Sequence, residues 1–277
     1  MNSRGHLFFA QNTTVDYVTQ AYAAALTIKK FNKYNKTCLI TNEVVPLKYL
    51  KAFDRIETVP WADDAAHSNW KIENRWKLIH ISPFDETIVY DSDMLLLTSN
   101  DHWWDYLENK SVALTNNVVT YRNVPVYDYV YRKTFVDNKL PNVYFGLHYF
   151  KKDRIAYEFY KWLEIIVQNW RLFYNEHTRN NTQKFCSMDV SAAIATMIMN
   201  AENEFSKANP LIFTHMKPAI QGWYPPPASW QSTVSVHFND KLQLRINNIL
   251  QQGVFHYTED NFLTNNILKK IEVSCGI

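Results

Sequence analysis

The sequence has 277 residues and a mass of 32.7 kDa, and its 29 Lys and Arg against 27 Asp and Glu leave a formal net charge of +2. This near-neutral balance excludes a nucleic-acid-binding protein that works by bulk charge alone. Hydrophobic residues make up 47% of the chain and aromatic residues 15%. The composition therefore excludes a disordered protein and favours one large α/β domain.

Strand and helix patterns alternate through residues 1–100. The predicted elements are a strand at 7–10, a helix up to 28, a strand at 37–41, a helix at 46–53, a strand at 55–59, a helix at 72–81 and a strand at 87–90. Thr13 and Asp16 have the spacing of a capping box and predict the start of the first helix. Such alternation is typical of a mostly parallel sheet flanked by helices.

The pattern is less regular after residue 100. The predicted elements are a strand at 143–150, a helix with an apolar stripe from 155 to 170, a polar loop at 175–184, an apolar helix at 190–199 led by Asp189, and a stiff aromatic loop at 223–227. The chain beyond residue 210 is otherwise irregular. Because we find no repeat and no linker, we predict a single α/β domain over residues 1–277 with a C-terminal extension.

The cysteine spacing and the lengths of the apolar runs indicate the cellular location that we expect for the protein. Cys38, Cys186 and Cys275 are widely separated and have no C-x-x-C partner, which argues against a disulfide framework or zinc knuckle and favours a reducing compartment. The N-terminus lacks the apolar run of a secretion signal, and the longest apolar stretch, 190–199, is about half a membrane span. We therefore expect a cytoplasmic protein without a transmembrane segment.

Asp91 and Asp93 directly follow the predicted strand at 87–90. Ligands of parallel α/β sheets bind beyond the carboxyl ends of the strands. Two carboxylates with one residue between them can hold one hard cation against a substrate diphosphate. The alternative is an Asp-rich turn or helix cap, which is the commoner origin of an isolated Asp-x-Asp pair.

Residues 74–97 resemble the core of the GT-A nucleotide-sugar glycosyltransferases, most closely family 8, the glycogenin and galactosyltransferase-like enzymes. In that family a basic residue opens a helix and a strand ending in Asp-x-Asp follows, and Arg75 and Asp91 have the family's spacing of 16. The resemblance implies a GT-A fold, a nucleotide-binding half at 1–100 and an acceptor-side half at 101–277. It also implies that Arg75 contacts the donor.

Three further segments fit the resemblance, which spans residues 7–260. Residues 9–13 with Tyr17 look like the turn that holds the base, 143–147 like the strand beside the sugar, and 253–257 like the segment whose His binds the metal. The implied donor-binding residues are Ala10, Gln11, Asn12, Thr13, Tyr17, Arg75, Asp91, Ser92, Asp93 and Gly146, and the implied metal ligands are Asp91, Asp93 and His256.

The implied chemistry is sugar transfer from a nucleotide sugar, with a UDP-sugar as the expected donor. A bound cation and Arg75 would stabilise the charge on the departing diphosphate. Because nitrogen ligands favour later transition ions, His256 predicts Mn²⁺, with Mg²⁺ as an alternative. A histidine taken alone is more often a core or surface residue than a metal ligand. Asp189 is the candidate base of an inverting enzyme, or it orients the sugar in a retaining enzyme, which the resemblance favours. Asp189 could also be a plain helix cap.

The sequence departs from the family at several positions. Tyr144 and Phe145 replace an Asn-Ser pair beside the sugar, and residues 187–190 keep only the Asp of Gly-Asp-Gln. The Gly and Lys-Pro-Trp expected after His256 are absent, and Lys217 is a candidate substitute for that lysine. These losses keep open a non-catalytic carbohydrate-binding or scaffold protein of the same fold.

The acceptor and the oligomeric state are open. A glycan, a protein side chain, a lipid-linked sugar or a hydroxymethylated base of phage-type DNA would each offer a hydroxyl. The loop at 121–133, with Arg122, Arg132 and Lys133, is the candidate acceptor-facing segment. The aromatic pairs at 103–104 and 223–224 and the tyrosines at 127–131 could stack on a sugar or base, although such residues more often form the core. A nucleotidyltransferase is disfavoured because residues 8–15 contain no glycine.

Overall fold

A six-stranded sheet forms the centre of the computed structural model, which describes residues 3–68, 71–126, 132–179, 183–207, 209–217 and 229–277. Its strands, in spatial order, are β3 (Arg55–Glu57), β2 (Thr37–Ile40), β1 (Arg4–Phe9), β4 (Glu86–Tyr90), β8 (Tyr144–Lys151) and β6 (Val112–Thr115). β3, β2, β1 and β4 are parallel, whereas β8 runs antiparallel to both β4 and β6. The prediction of a mostly parallel sheet flanked by helices is therefore confirmed.

Both faces of this sheet are buried. Along β1, Phe8 belongs to one hydrophobic cluster, whereas Leu7 and Phe9 belong to a second cluster. Since successive side chains of a strand point to opposite faces, the two clusters lie on opposite faces of the sheet. α1 (Tyr17–Phe31) packs in the first cluster, and α5 (Arg154–Gln168) and α7 (Met188–Ile198) pack in the second. This three-layer arrangement leaves the carboxyl ends of the strands for a ligand.

A second sheet joins distant parts of the chain. Its strands, in spatial order, are β5 (Met94–Leu96), β13 (Val254–His256), β9 (Ile212–His215) and β7 (Asn117–Val119). A third sheet comprises β10 (Val236–Phe238), β11 (Leu244–Ile246) and β12 (Ile249–Leu250). The prediction of irregular chain beyond residue 210 was therefore wrong, because strands of two to four residues are too short to show a period of two.

Several predicted helices have different bounds. The helix predicted at 46–53 is a 3₁₀ helix, Leu47–Ala52, and the one predicted at 72–81 is a 3₁₀ turn, Arg75–Lys77, followed by α2 (Leu78–Ile81). The polar loop predicted at 175–184 begins later, because α6 (Trp170–His177) extends into it. The other helices are α3 (Trp103–Leu107), α4 (Lys133–Asn138), α8 (Glu202–Phe205), the 3₁₀ turn Trp230–Ser232 and α9 (Asn265–Ser274).

α1 begins later than the sequence predicts. Its N-cap is Asp16, whose carboxylate accepts a hydrogen bond from the Thr19 backbone N–H at 3.0 Å. Thr13 instead forms a local turn with Val15. The predicted capping box was therefore wrong, because the second member of the pair is itself the cap.

The structure also bears on the expectations for the cysteines, the apolar runs and the aromatic segments. Cys38, Cys186 and Cys275 are free, and Trp103 and Trp104 are core residues rather than sugar-stacking ones. Across the described ranges, no helix is both long enough and apolar enough to span a bilayer. The aromatic segments at 127–131 and 223–227 lie outside the described residues.

Asp54 ties the start of β2 to α1. Its carboxylate lies 2.7 Å from Lys29 Nζ and accepts a hydrogen bond from the Thr37 backbone N–H at 3.0 Å. Although partial burial alone raises the pKa of Asp54, these two donors lower it to about 2. Because a depressed pKa stabilises the fold only while the carboxyl is ionised, this contribution is complete above the unfolded-state pKa and is lost as the pH falls through the folded-state value.

We expect Asp54→Asn to lower the free energy of unfolding by about 1 kcal/mol at pH 7, since the ion pair is partly exposed. The difference from wild type should persist down to about pH 4 and shrink towards pH 2. Urea denaturation at a series of pH values measures it. Asp105→Asn, an exposed site on α3, is the control, and a difference of constant size between pH 7 and pH 2 would contradict the prediction.

Candidate functional site

A cleft of about 510 Å³ lies beyond the carboxyl ends of β1 and β4. Its lining combines the segment after β1, residues 71–75, residues 91–93, the start of α7 and the chain around His256. The sequence-predicted site residues that line it are Gln11, Tyr17, Arg75, Asp91, Ser92, Asp93, Gly146, Asp189 and His256. Residues from six separate segments of the sequence are thus brought to one cleft.

Asp91, Asp93 and His256 form the chemical centre of the cleft. One ligand-type atom from each lies within 4.8 Å of the others. β13 pairs antiparallel with β5, and the Tyr257 N–H donates to the Asp93 carbonyl at 3.1 Å, which brings His256 beside the carboxylates. Two carboxylate oxygens and one imidazole nitrogen form a donor set that fits a divalent cation.

His256 is held by Asp93. The His256 Nε2 atom lies 3.0 Å from Asp93 Oδ1, and the ring is almost fully buried. Burial lowers the pKa of His256, but the Asp93 and Asp91 carboxylates outweigh it, so the net pKa is raised. The Asp91 and Asp93 carboxylates therefore stabilise a positive charge on the His256 ring. A bound divalent cation would supply positive charge at the same place.

Arg75 adds a second positive group. Its Nη1 donates to Asp91 Oδ1 at 2.5 Å. Burial opposes the charge of Arg75, yet Asp91 and Asp93 raise its pKa overall. Among the described residues, the buried Arg75 Nε has no hydrogen-bond partner, so the guanidinium keeps a donor for an anionic ligand.

Gly146 allows the Asp91 carboxylate to approach β8. The Asp91 N–H donates to the Gly146 carbonyl at 2.7 Å, and a Cβ atom at Gly146 would stand 2.3 Å from Asp91 Oδ2. No real Cβ contact is that close, so any side chain here displaces the carboxylate.

We expect Gly146→Ala to weaken cation binding about tenfold to a hundredfold, because a displaced carboxylate no longer converges with Asp93 and His256. Titration of Mn²⁺ by isothermal calorimetry measures the change. Gly253→Ala is the matched control, since no atom lies within 4 Å of a Cβ there, although its φ of +66° adds local strain. Unchanged Mn²⁺ affinity in Gly146→Ala would contradict the prediction.

Asp189 lies in the first turn of α7 and lines the cleft. The N-cap of α7 is Ser187, which accepts from the Val190 N–H, so the helix-cap alternative for Asp189 was wrong. Its Oδ1 accepts from the Phe145 N–H at 2.8 Å and its Oδ2 from Arg132 Nη1 at 2.7 Å. The carboxylate is therefore held against β8 with a defined orientation.

Four of the predicted donor-binding residues are placed differently. Ala10, Asn12 and Thr13 do not line the cleft: Ala10 is fully buried, and Asn12 accepts from the Val18 N–H and contacts Asp16. Ser92 lines the cleft but donates its hydroxyl to the Phe9 carbonyl at 3.2 Å. The structure thus gives Ser92 a role in tying the Asp91–Asp93 turn to β1.

Gln11 belongs to a polar network that the sequence does not reveal. Its side-chain amide donates to Asp63 at 3.0 Å and accepts from Asn74 at 2.9 Å. Lys71 and Lys217 also line the cleft, as do Glu259 and Asp260. Lys217 is the candidate that the sequence analysis names, whereas the positions of Lys71, Glu259 and Asp260 depend on long-range packing that no sequence spacing marks.

In the loop at 121–133, the environment of Arg132 differs most from what the sequence analysis expects. Arg122 is exposed and donates to the Tyr121 hydroxyl, whereas Arg132 is 4% exposed and bonds Asp189. Arg132 is therefore buried beside α7, whereas the expectation that the loop at 121–133 faces an acceptor stays a prediction. A lone basic residue in a loop carries no sequence signal for such a partner.

The fold is similar to solved glycosyltransferase structures. The galactosyltransferase LgtC, solved with donor and acceptor sugar analogs, has a TM-score of 0.56 at 10% identity, covering 98% of this chain and 95% of that one. Mouse xyloside xylosyltransferase 1, in its apo form, has a TM-score of 0.51 at 10% identity, covering 92% and 97%. No protein-family model and no curated protein matches the sequence. The chain therefore has the GT-A glycosyltransferase fold that its Arg75 to Asp93 pattern predicts.

Proposed function

We propose that the protein is a metal-dependent glycosyltransferase that moves a sugar from a nucleotide sugar, with a UDP-sugar as the expected donor, to a hydroxyl acceptor. The observation that carries the proposal is the convergence of Asp91, Asp93 and His256 within 4.8 Å at the carboxyl ends of a GT-A sheet. The 510 Å³ cleft around them has the size of a small-molecule site.

Several residues of the cleft would stabilise the negative charge of the leaving diphosphate. Asp91, Asp93 and His256 would hold a divalent cation, Mn²⁺ by their donor set, and the bound cation would supply Lewis-acid stabilisation to the leaving diphosphate. Arg75 contributes a fixed positive charge beside the same leaving group. Lys217 is the proposed third positive group on the diphosphate, since it lines the same cleft.

Asp189 has the role of orienting the donor sugar. Both of its oxygens already accept hydrogen bonds, one from Arg132 and one from the β8 backbone. These two bonds fix the orientation of the carboxylate and leave an acceptor direction on each oxygen for a hydroxyl of the donor sugar. We keep the retaining outcome, which the resemblance favours, as the proposed stereochemistry.

Donor hydrolysis and thermal stabilisation across a panel of nucleotide sugars, with Mn²⁺, Mg²⁺ or EDTA, test the proposal. We expect hydrolysis of one donor and a rise in melting temperature that both require the cation. Acceptor glycans, peptides and hydroxymethylated DNA are then added with that donor. Metal-linked binding without turnover would favour the non-catalytic carbohydrate-binding alternative, and absence of any metal-linked nucleotide binding would exclude the proposal.

A further inference from the structure

Arg132 is a buried arginine whose guanidinium packs against two aromatic rings and donates hydrogen bonds from all three of its nitrogen atoms. Its carbon Cζ lies 3.6 Å from the ring centre of Phe135 and 3.9 Å from that of Tyr144. Its Nε donates to Asn142 Oδ1 at 2.7 Å and its Nη2 to the Val143 carbonyl at 2.6 Å. These contacts fix the plane of the guanidinium independently of the cleft.

The remaining donor, Nη1, reaches Asp189. The distance from Nη1 to Asp189 Oδ2 is 2.7 Å, and the Phe145 N–H donates to the other oxygen at 2.8 Å. Among the described groups that Arg132 contacts, Asp189 is the one in the lining of the cleft. Arg132 thus holds a carboxylate of the cleft wall in a fixed position relative to the chain at 142–145.

We infer that Arg132 is a positioning residue that holds the Asp189 carboxylate in a fixed orientation for the hydroxyls of the donor sugar. This inference rests on the proposed function. Each carboxylate oxygen has two acceptor directions, and the described residues use one on each, so that one remains on each oxygen for a sugar hydroxyl. Two acceptors at a fixed spacing discriminate between sugars that differ in the direction of one hydroxyl, because a misplaced hydroxyl leaves an acceptor unpaired.

The charge of the pair supports the same role. Asp189 shares the cleft with Asp91 and Asp93, and a third unpaired carboxylate there would repel a diphosphate. Arg132 neutralises Asp189 from behind, so that the carboxylate accepts hydrogen bonds without adding net negative charge. A lysine cannot reproduce this arrangement, since its single ammonium cannot reach Asn142, the Val143 carbonyl and Asp189 in one plane.

The test is Arg132→Lys, which keeps the charge and loses the planar fork. We expect the kcat of donor hydrolysis to fall about tenfold to a hundredfold and the preference between donors that are epimers at one sugar hydroxyl to narrow. The affinity for the nucleoside diphosphate with Mn²⁺ should stay within about twofold, because Asp91, Asp93 and His256 are untouched. Arg154→Lys, at an exposed arginine at the start of α5 that does not line the cleft, is the control.

The double variant separates positioning from folding. In an Asp189→Asn background, Arg132→Lys should change kcat by no more than about twofold, since the group it positions is already altered. If the wild type turns over a donor, the proposed function stands, and two results would overturn the inference alone. One is that the effects of Arg132→Lys and Asp189→Asn on kcat multiply in the double variant. The other is that Arg132→Lys lowers diphosphate affinity as much as it lowers turnover. Absence of turnover in the wild type with every donor would instead overturn both.

Discussion

Asp93→Asn should lower the turnover of the nucleotide-sugar donor by about 10²–10³-fold and abolish the thermal stabilisation by Mn²⁺. Asp93 contacts His256 at 3.0 Å and shares a 4.8 Å cluster with Asp91. An amide has nearly the shape of the carboxylate but lacks its charge, so it binds a divalent cation poorly. Initial rates at saturating donor and melting curves against Mn²⁺ concentration measure the two effects.

Asp105→Asn controls for the loss of one negative charge, because Asp105 is exposed on α3 and does not line the cleft. It should leave both turnover and Mn²⁺ stabilisation as in the wild type. Mn²⁺ stabilisation that survives in Asp93→Asn would show that the cation binds elsewhere. Loss of turnover with full Mn²⁺ stabilisation would likewise contradict a ligand role for Asp93.

The parts of the site that the sequence predicts are those encoded locally. Arg75 and Asp91 are separated by one helical turn, a short helix and one strand, so a fixed spacing brings them together. Gly146 was expected beside the sugar because residues 143–147 look like a strand of the family, and the structure places it against Asp91. His256 was expected as a metal ligand because residues 253–257 resemble a segment of the family, and three of these residues form β13.

The parts that the sequence did not predict depend on packing between distant segments. Arg132 lies 57 residues from Asp189, and the bond between them joins the N-cap of α4 to the first turn of α7. Gln11 likewise reaches Asn74 across 63 residues. Periodicity describes one element at a time, so it cannot reveal which loop side chain will face which helix. The second sheet was missed for the related reason that its strands are short.

Ala10, Asn12 and Thr13 were expected at the cleft because residues 9–13 look like the turn that holds the base in the family. The segment after β1 leaves the sheet at its carboxyl end, which is where ligands bind in this class of fold. In the structure only Gln11 and Tyr17 of that segment line the cleft. The intervening side chains are used to build the turn into α1, with Asn12 accepting from the Val18 N–H.

Arg75→Gln should lower donor turnover by about 10²–10³-fold while leaving Mn²⁺ stabilisation intact. Arg75 donates to Asp91 at 2.5 Å and keeps a buried Nε without a partner among the described residues. Its loss removes a positive charge next to the departing diphosphate but removes no metal ligand. Arg75→Lys should recover part of the turnover, because it restores the charge without the planar donors.

The control is Arg154→Gln, since Arg154 is exposed at the start of α5 and does not line the cleft. Steady-state kinetics and Mn²⁺ titration of all three variants then separate two roles of Arg75. If Arg75→Gln weakens Mn²⁺ binding as strongly as Asp93→Asn does, Arg75 acts by organising the carboxylates and not on the diphosphate. If Mn²⁺ binding is kept and turnover falls, the positive charge acts on the leaving group, because the metal site is then complete without it.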